Sequence, residues 1–151
     1  MTSVQRHVRI KGYGTALPKH QVTFKDQTRY RVKEDEESQI DLAARAIEQA
    51  LEQAGLTMAD IDCLVSASAV GVQPIPCTAA LIHERVAKDL TIPAMDINTT
   101  CTSFISALST ISYLIEGGEY KRVLIVSSEV GSLGLNPKQK ESYELFSDGA
   151  A

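Results

Sequence analysis

Three cysteines, Cys63, Cys77 and Cys101, carry the side chains of this sequence best suited to nucleophilic chemistry. Their odd number and wide spacings fit neither a disulfide framework nor a CxxC metal site, so free thiols and no bound metal are expected. Cys101 follows a short apolar run that ends in small polar residues, and an apolar pattern of helical period begins after it. A helix start offers unpaired N–H groups and a partial positive charge, which favour a thiolate and stabilise a developing oxyanion. Cys101 is therefore a candidate nucleophile.

A structural role is the alternative for Cys101. Cysteine is small and behaves as a modest hydrophobe, so it fits a tight corner between a strand and a helix. The same two interpretations apply to Cys77, because it lies in the first turn of a predicted helix. Position alone does not choose between these two cysteines.

Apolar periodicity predicts the elements that would position the cysteines. Short apolar runs bounded by turn residues are typical of buried strands, and apolar residues at i, i+3, i+4 and i+7 are typical of amphipathic helices. The polar segment Lys19–Glu37 has no sustained period and is predicted to be a loop. Strands are predicted at His7–Gly14, Ile61–Ala69, Ile92–Asn98 and Lys121–Val130, with the start of another in the final SDGAA. Helices are predicted from Ser38 to the C-cap Gly55, over Cys77–Leu90, and from Phe104 to the Gly117-Gly118 pair.

The order of these elements predicts the fold class. Strands alternate with helices over short connections, which implies right-handed crossovers and a mostly parallel sheet covered by helices. Ligands of such sheets bind at the carboxyl ends of the strands, where the following helices begin. Cys101 lies at that edge of the predicted sheet.

Composition limits the classes of function. The chain is 44% hydrophobic and 23% charged, which is close to the globular average and argues against disorder. Its net charge of −4 argues against broad electrostatic binding to nucleic acid. The sequence has neither an apolar signal region nor a run of the roughly 18 to 20 apolar residues that a membrane span requires, so a cytoplasmic protein is expected. A dinucleotide fingerprint is not completed after Gly12 and Gly14, because Leu17 stands at the third glycine position.

Four ordered segments together resemble a known family. They are IKGYGTALP, DINTTCTSFISAL, YKRVLIVSSEV and the final FSDGAA. The sequence of these segments resembles the thiolase superfamily and, within it, the ketoacyl-acyl carrier protein synthase III group of condensing enzymes. Asp96, Cys101 and Phe104 stand at positions of the family's nucleophile motif, and Phe146–Ala150 resembles its Phe-x-Asp-Gly-Ala segment. The resemblance implies a thiolase-like α/β fold, with one βαβαβαβ half whose mixed, mostly parallel sheet is covered by helices.

The resemblance also implies a mechanism. Cys101 would take an acyl group from acyl-CoA or an acyl carrier protein, then pass it to a carbanion made by decarboxylation of a malonyl thioester. The Cys101 backbone N–H would be one oxyanion donor, Phe104 would contact substrate, and no cofactor or metal would be needed. A homodimer acting in fatty acid or polyketide biosynthesis is the expectation.

Departures from the family limit what this chain does alone. The family's catalytic partners, a His and an Asn or two His, come from its second half, and none of His7, His20 and His83 matches them. Residues 1–151 are therefore expected to form an N-terminal half domain that is inactive in condensation by itself. The excursion before the first helix is shorter than in the family and lacks tryptophan. Arg29 and Arg31 remain candidates for CoA phosphates there, with a solvated charged loop as the alternative.

Two other functions stay open at this point. The chain is alternatively a non-catalytic half or subunit that binds a partner or carries acyl groups. It is alternatively part of another thiolase-superfamily condensing enzyme, of the polyketide or hydroxymethylglutaryl type.

Overall fold

A computed structural model describes residues 6–151. The strands are β1 (His20–Phe24), β2 (Gln27–Arg31), β3 (Cys63–Ser66), β4 (Ala94–Asp96), β5 (Val123–Val126), β6 (Ser128–Glu129) and β7 (Gly149–Ala150). The α-helices are α1 (Gln39–Ala54), α2 (Thr78–Ala87), α3 (Ser103–Glu116) and α4 (Lys140–Leu145). Two 3-10 turns lie at Met58–Asp60 and Ser132–Gly134.

A parallel sheet in the order β4-β3-β5 forms the centre of the fold. All four residues of β3 are buried, as a strand covered on both faces requires. Leu64 packs with Ala43 of α1 and Ile82 of α2, whereas Val65 packs with Ile111 of α3. Because successive side chains of a strand point to opposite faces, α1 and α2 cover one face of the sheet and α3 covers the other.

A separate two-stranded antiparallel sheet, β6-β7, follows β5 in the chain. The strand expected to begin in the final SDGAA is present as β7, which pairs antiparallel with β6. Ala16 and Ala150 then exchange two backbone hydrogen bonds of 2.8 Å on the other side of β7. The predicted α/β fold class, with a mostly parallel strand arrangement covered by helices, is confirmed; the antiparallel strands form pairs of their own beside the parallel sheet.

The predicted first strand at His7–Gly14 is wrong. None of these residues belongs to a strand in the described part of the chain, and Ala16, two residues further on, forms a bridge to Ala150 of β7. The preceding backbone instead lies against α1, where Tyr13 N donates to Gln53 Oε1 at 2.8 Å. An apolar run indicates only which side chains become buried. A strand also needs a neighbouring strand to pair with, and this segment contacts α1 instead.

The predicted loop at Lys19–Glu37 is also wrong in its first part. β1 and β2 form an antiparallel hairpin there, with Phe24 opposite Gln27 in the register. Lys25 takes the left-handed conformation that the tight turn needs, with φ of 53°. Polar residues on both faces hid the alternation that normally reveals a half-buried strand.

The remaining predicted helices and strands are present, with bounds that differ from the predicted ones by a few residues. The helix expected from Ser38 is α1. Ser38 and Asp41 form a capping box at its start, and Gly55, with a φ of 65°, is its C-cap. The predicted strand Lys121–Val130 is divided into β5 and β6. No helix within residues 6–151 is long and apolar enough to cross a membrane.

We expect Gly14→Ala to destabilise the protein by about 1 to 3 kcal/mol. A Cβ at Gly14 would lie 2.1 Å from the carbonyl oxygen of Ala46 and 2.8 Å from the Ala50 nitrogen, both of which belong to the rigid backbone of α1. Gly131→Ala is the control, since nothing lies within 4 Å of its Cβ position and its φ is −78°. Urea denaturation measures both, and equal losses would contradict the prediction.

Candidate active site

Cys101 lies on the turn that connects β4 to α3. Its thiol is free and the residue is exposed, directly before Thr102, the N-cap of α3. We call the turn between Ile97 and Thr102 the elbow. It presents Cys101 at the carboxyl end of the parallel sheet, as the sequence predicts, because β4 ends at Asp96.

Thr100 gives the elbow its sharp bend. Its φ is 55°, a left-handed conformation that costs a β-branched residue roughly 1 to 2 kcal/mol. Asn98 Oδ1 accepts a hydrogen bond from Thr100 N at 2.9 Å. Ser103 Oγ donates to Thr100 O at 2.6 Å. These contacts hold both backbone polar groups of Thr100 and so maintain the bend just before Cys101.

Hydroxyl side chains also bind the backbone of Thr99 in the elbow. Thr99 N donates to Ser103 Oγ at 3.0 Å, and Thr102 Oγ1 donates to Thr99 O at 2.8 Å. Thr99 Oγ1 also lies 2.8 Å from Ser106 Oγ, one turn into α3. Local bonding of this kind explains why the sequence around the cysteine is rich in threonine and serine. Sequence reasoning noted that composition but did not assign these roles.

Asp96 connects the elbow strand to the start of α2. Its carboxylate accepts hydrogen bonds from Thr78 N at 3.0 Å and from Ala79 N at 2.7 Å. Cys77, the N-cap of α2, makes no side-chain capping bond, so Asp96 satisfies N–H groups that the helix leaves unpaired. The motif aspartate therefore places the α2 start, with Cys77, beside the end of β4.

The three thiols differ in access. Cys63 is fully buried in β3, and burial raises the pKa of its thiol. Cys77 is half-buried and Cys101 is exposed. A buried thiol with a raised pKa is a poor nucleophile, so access and chemistry favour Cys101 over Cys63.

We predict that iodoacetamide modifies Cys101 first under native conditions and Cys77 more slowly. Modification of Cys63 should be at least about 10³-fold slower than that of Cys101, because it requires the protein to unfold. Peptide mapping after timed alkylation measures all three rates in one sample, and alkylation in denaturant confirms that each peptide is detected. Cys63 reacting at the rate of Cys101 would contradict this order.

Arg29 and Arg31 make contacts within the chain. Arg31 is only 6% exposed and stacks on the ring of Tyr143, with its guanidinium carbon 4.4 Å from the ring centroid. Arg29 Nε donates to the carbonyls of Glu144 and Leu145, each at 2.9 Å. Both side chains thus fix the β1–β2 hairpin to α4, and the interpretation of this stretch as a solvated charged loop is wrong for Arg31. Their role toward CoA phosphates stays a prediction.

Phe104 and the histidines occupy different surroundings. Phe104 lies in the first turn of α3, three residues after Cys101, and is 39% exposed, so its role as a substrate contact stays a prediction. His7 Nδ1 lies 3.5 Å from Glu116 Oε1 at the far end of α3. His20 begins β1 and His83 lies within α2. None of the three histidines belongs to the elbow.

Comparisons with known proteins identify relatives of the chain. Residues 95–151 match the family model for 3-oxoacyl-[acyl-carrier-protein] synthase III. The chain is 40% identical over 116 residues to β-ketoacyl-[acyl-carrier-protein] synthase III of Clostridium perfringens, covering 76% of this chain and 35% of that protein. It is 32% identical over 159 residues to the enzyme of the same name from Rhizobium johnstonii, covering 93% of this chain and 49% of that protein.

Solved structures give the same result for the fold. The crystal structure of 3-oxoacyl-[acyl-carrier-protein] synthase III from Aquifex aeolicus superimposes with a TM-score of 0.86 at 28% identity, covering 93% of this chain and 51% of that chain. The chain therefore spans about a third to a half of the length of the relatives it matches.

Proposed function

We propose that Cys101 is an acyl-accepting nucleophile, on the premise that this chain is part of a ketoacyl-acyl carrier protein synthase III-like condensing enzyme of the thiolase superfamily. The observation that carries the proposal is the exposed Cys101 thiol on the elbow before α3, inside the segment that matches the family model. The full-length protein would be an acyltransferase that carries out a decarboxylative Claisen condensation.

Acyl transfer to Cys101 is the first proposed step. The thiolate attacks the carbonyl carbon of an acyl thioester. The Cys101 backbone N–H donates one hydrogen bond to the oxyanion that forms. Collapse of this intermediate expels the CoA or acyl carrier protein thiolate, which takes up a proton. Cys101 then holds the acyl group as a new thioester.

Carbon–carbon bond formation is the second proposed step. A malonyl thioester loses CO₂ to give a carbanion, which attacks the acyl carbon on Cys101 and expels the cysteine thiolate. The product is a 3-oxoacyl thioester, and no redox reagent or metal enters the balance. The resemblance assigns the activation of the malonyl group to a His and an Asn outside residues 1–151.

Substrates and setting belong to the same proposal. Acyl-CoA and acyl carrier protein thioesters are the proposed donors, a homodimer is the proposed assembly, and a cytoplasmic role in fatty acid or polyketide biosynthesis is the proposed setting. The names of the relatives include the acyl carrier protein, which supports its proposed role as a carrier of the substrates.

Intact-mass spectrometry of the full-length protein tests the first step. The protein is mixed with a panel of acyl-CoA and acyl carrier protein donors of different chain lengths, and adducts are mapped by digestion. We expect one acyl group per chain on the Cys101 peptide. Adducts from no donor, or adducts mapped only to other residues, would refute the proposal and favour a non-catalytic half.

A malonyl thioester added to the isolated acyl enzyme tests the second step. We expect loss of the adduct and formation of a 3-oxoacyl product. Stable adducts with no malonyl-dependent product would favour another thiolase-superfamily reaction or a carrier role.

A further inference from the structure

The Ala69–Val70 dipeptide after β3 has its backbone held by side chains from three separate elements. Ala69 N and Val70 N both donate to the carboxylate of Glu129 in β6, at 2.5 and 3.0 Å. Val70 O accepts from Gln39 Nε2 in α1 at 2.7 Å, and Ala69 O accepts from Asn98 Nδ2 in the elbow at 3.0 Å. We call Ala69 and Val70 with Glu129 and Gln39 the clamp.

The clamp is anchored in the interior. Gln39 is 8% exposed and donates a second hydrogen bond to Ser128 O at 2.6 Å. Ser128 Oγ donates back to Gln39 O at 2.8 Å, so α1 and β6 hold each other at this point. A network with paired donors and acceptors of this kind fixes geometry rather than merely filling space. Ala69 O is therefore a fixed point to which the elbow is attached.

Asn98 joins the clamp to the elbow through both ends of its amide. Nδ2 donates to Ala69 O, while Oδ1 accepts from Thr100 N at 2.9 Å. Thr100 is the left-handed residue that immediately precedes Cys101. A strained conformation persists only where its surroundings hold it. Ser103 of α3 holds Thr100 O, and Asn98 is the side chain that connects Thr100 N to the segment after β3.

We propose that Asn98 is a positioning residue for Cys101, holding Thr100 and hence the thiol in the reactive orientation by bridging the clamp to the elbow. This inference rests on the proposed function of Cys101 as acyl acceptor. Asparagine suits the role because its amide offers a donor and an acceptor together. Aspartate keeps the acceptor for Thr100 N but has no donor for Ala69 O, and alanine has neither.

The test compares Asn98→Ala and Asn98→Asp with the wild type in the full-length protein. We expect the acylation rate constant at saturating donor to fall about tenfold in Asn98→Ala, whereas the donor concentration for half-saturation stays within about twofold. Asn98→Asp, which keeps the turn, should fall by a smaller factor in the same parameter. A misplaced thiol lowers the acylation rate constant but leaves the affinity for the donor unchanged. A variant that merely contains less folded protein shows the wild-type rate constant and the wild-type half-saturation once both are calculated per folded chain.

Asn136→Ala is the matched control. Asn136 makes the same local bond as Asn98, with Lys138 N donating to its Oδ1 at 3.0 Å, but it lies in the loop before α4. We expect its acylation to equal that of the wild type. Unchanged rate constants in both Asn98 variants, an effect on half-saturation alone, or an equal loss in Asn136→Ala would each overturn the inference.

Alkylation separates this inference from the proposed function. The ratio of Cys101 to Cys77 iodoacetamide rates requires no acyl donor, and we expect it to fall by about threefold or more in Asn98→Ala. A wild type that no donor acylates, with this ratio still dependent on Asn98, refutes the proposed function and supports the positioning role. A ratio that does not change in either Asn98 variant overturns the positioning role.

Discussion

Replacement of Cys101 by alanine is expected to abolish acylation of the protein, with a loss of at least about 10³-fold in the rate of adduct formation. The alanine side chain provides no atom that can form the thioester, so the remaining elbow and helix start can bind a donor but cannot accept its acyl group. We expect no acylation of Cys63 in its place, because Cys101 is exposed whereas Cys63 is fully buried. Intact mass after incubation with acyl donors measures the loss.

Cys77→Ala is the control for this prediction. Cys77 also precedes a helix at the carboxyl edge of the sheet, and Asp96 holds that helix close to the elbow strand. Removal of its thiol should leave the adduct yield unchanged. Acylation that survives in Cys101→Ala, or that disappears in Cys77→Ala, would show that the nucleophile has been assigned to the wrong cysteine.

The features predicted from sequence are those that neighbouring residues determine. α1 was predictable because its apolar period, the Ser38 cap and the Gly55 stop all act within the helix. β3 was predictable because its residues are apolar on both faces, which a buried central strand requires. The position of Cys101 followed in the same way, from the apolar run before it and the helical pattern after it.

The features missed from sequence depend on contacts between distant segments. The run His7–Gly14 has the composition of a strand, yet its Tyr13 amide binds Gln53 of α1 rather than a neighbouring strand. Arg31 is charged and was placed in a loop, but the Tyr143 ring from the far end of the chain covers it. No local pattern encodes either partner.

The site shows the same division. Its candidate nucleophile, Cys101, and the helix that follows are local features, and the position of both was predicted from the sequence. Its supports are not local: Asp96 binds α2, and Asn98 binds the loop after β3, at separations of 17 and 29 residues. The signal that was available is the polarity of these two side chains at the carboxyl end of β4, where a carboxylate offers acceptors and an amide offers a donor and an acceptor.

The second large effect is expected at Asp148, whose replacement by alanine should lower the free energy of unfolding by about 3 kcal/mol. Asp148 is 2% exposed, and its carboxylate accepts hydrogen bonds from Val32 N at 2.8 Å and from Ser132 N at 3.0 Å, as well as from the Ser132 hydroxyl. It thereby joins the end of the hairpin, the loop after β6 and the start of β7. Alanine would leave two buried backbone N–H groups without acceptors, and urea denaturation measures the cost.

Asp60→Ala separates this effect from the simple loss of a carboxylate. Asp60 accepts from one backbone N–H and one hydroxyl, both of Thr57, in hydrogen bonds that are exposed to solvent at a 3-10 turn. Water replaces those bonds when Asp60 is removed, so we expect only a small change in unfolding free energy. Asp148→Asn should lie between the two, because its amide keeps one acceptor oxygen and places an N–H₂ group where the second acceptor stood. Equal stability of the Asp148→Ala and Asp60→Ala proteins would mean that the buried carboxylate does not hold the hairpin, the loop after β6 and β7 together.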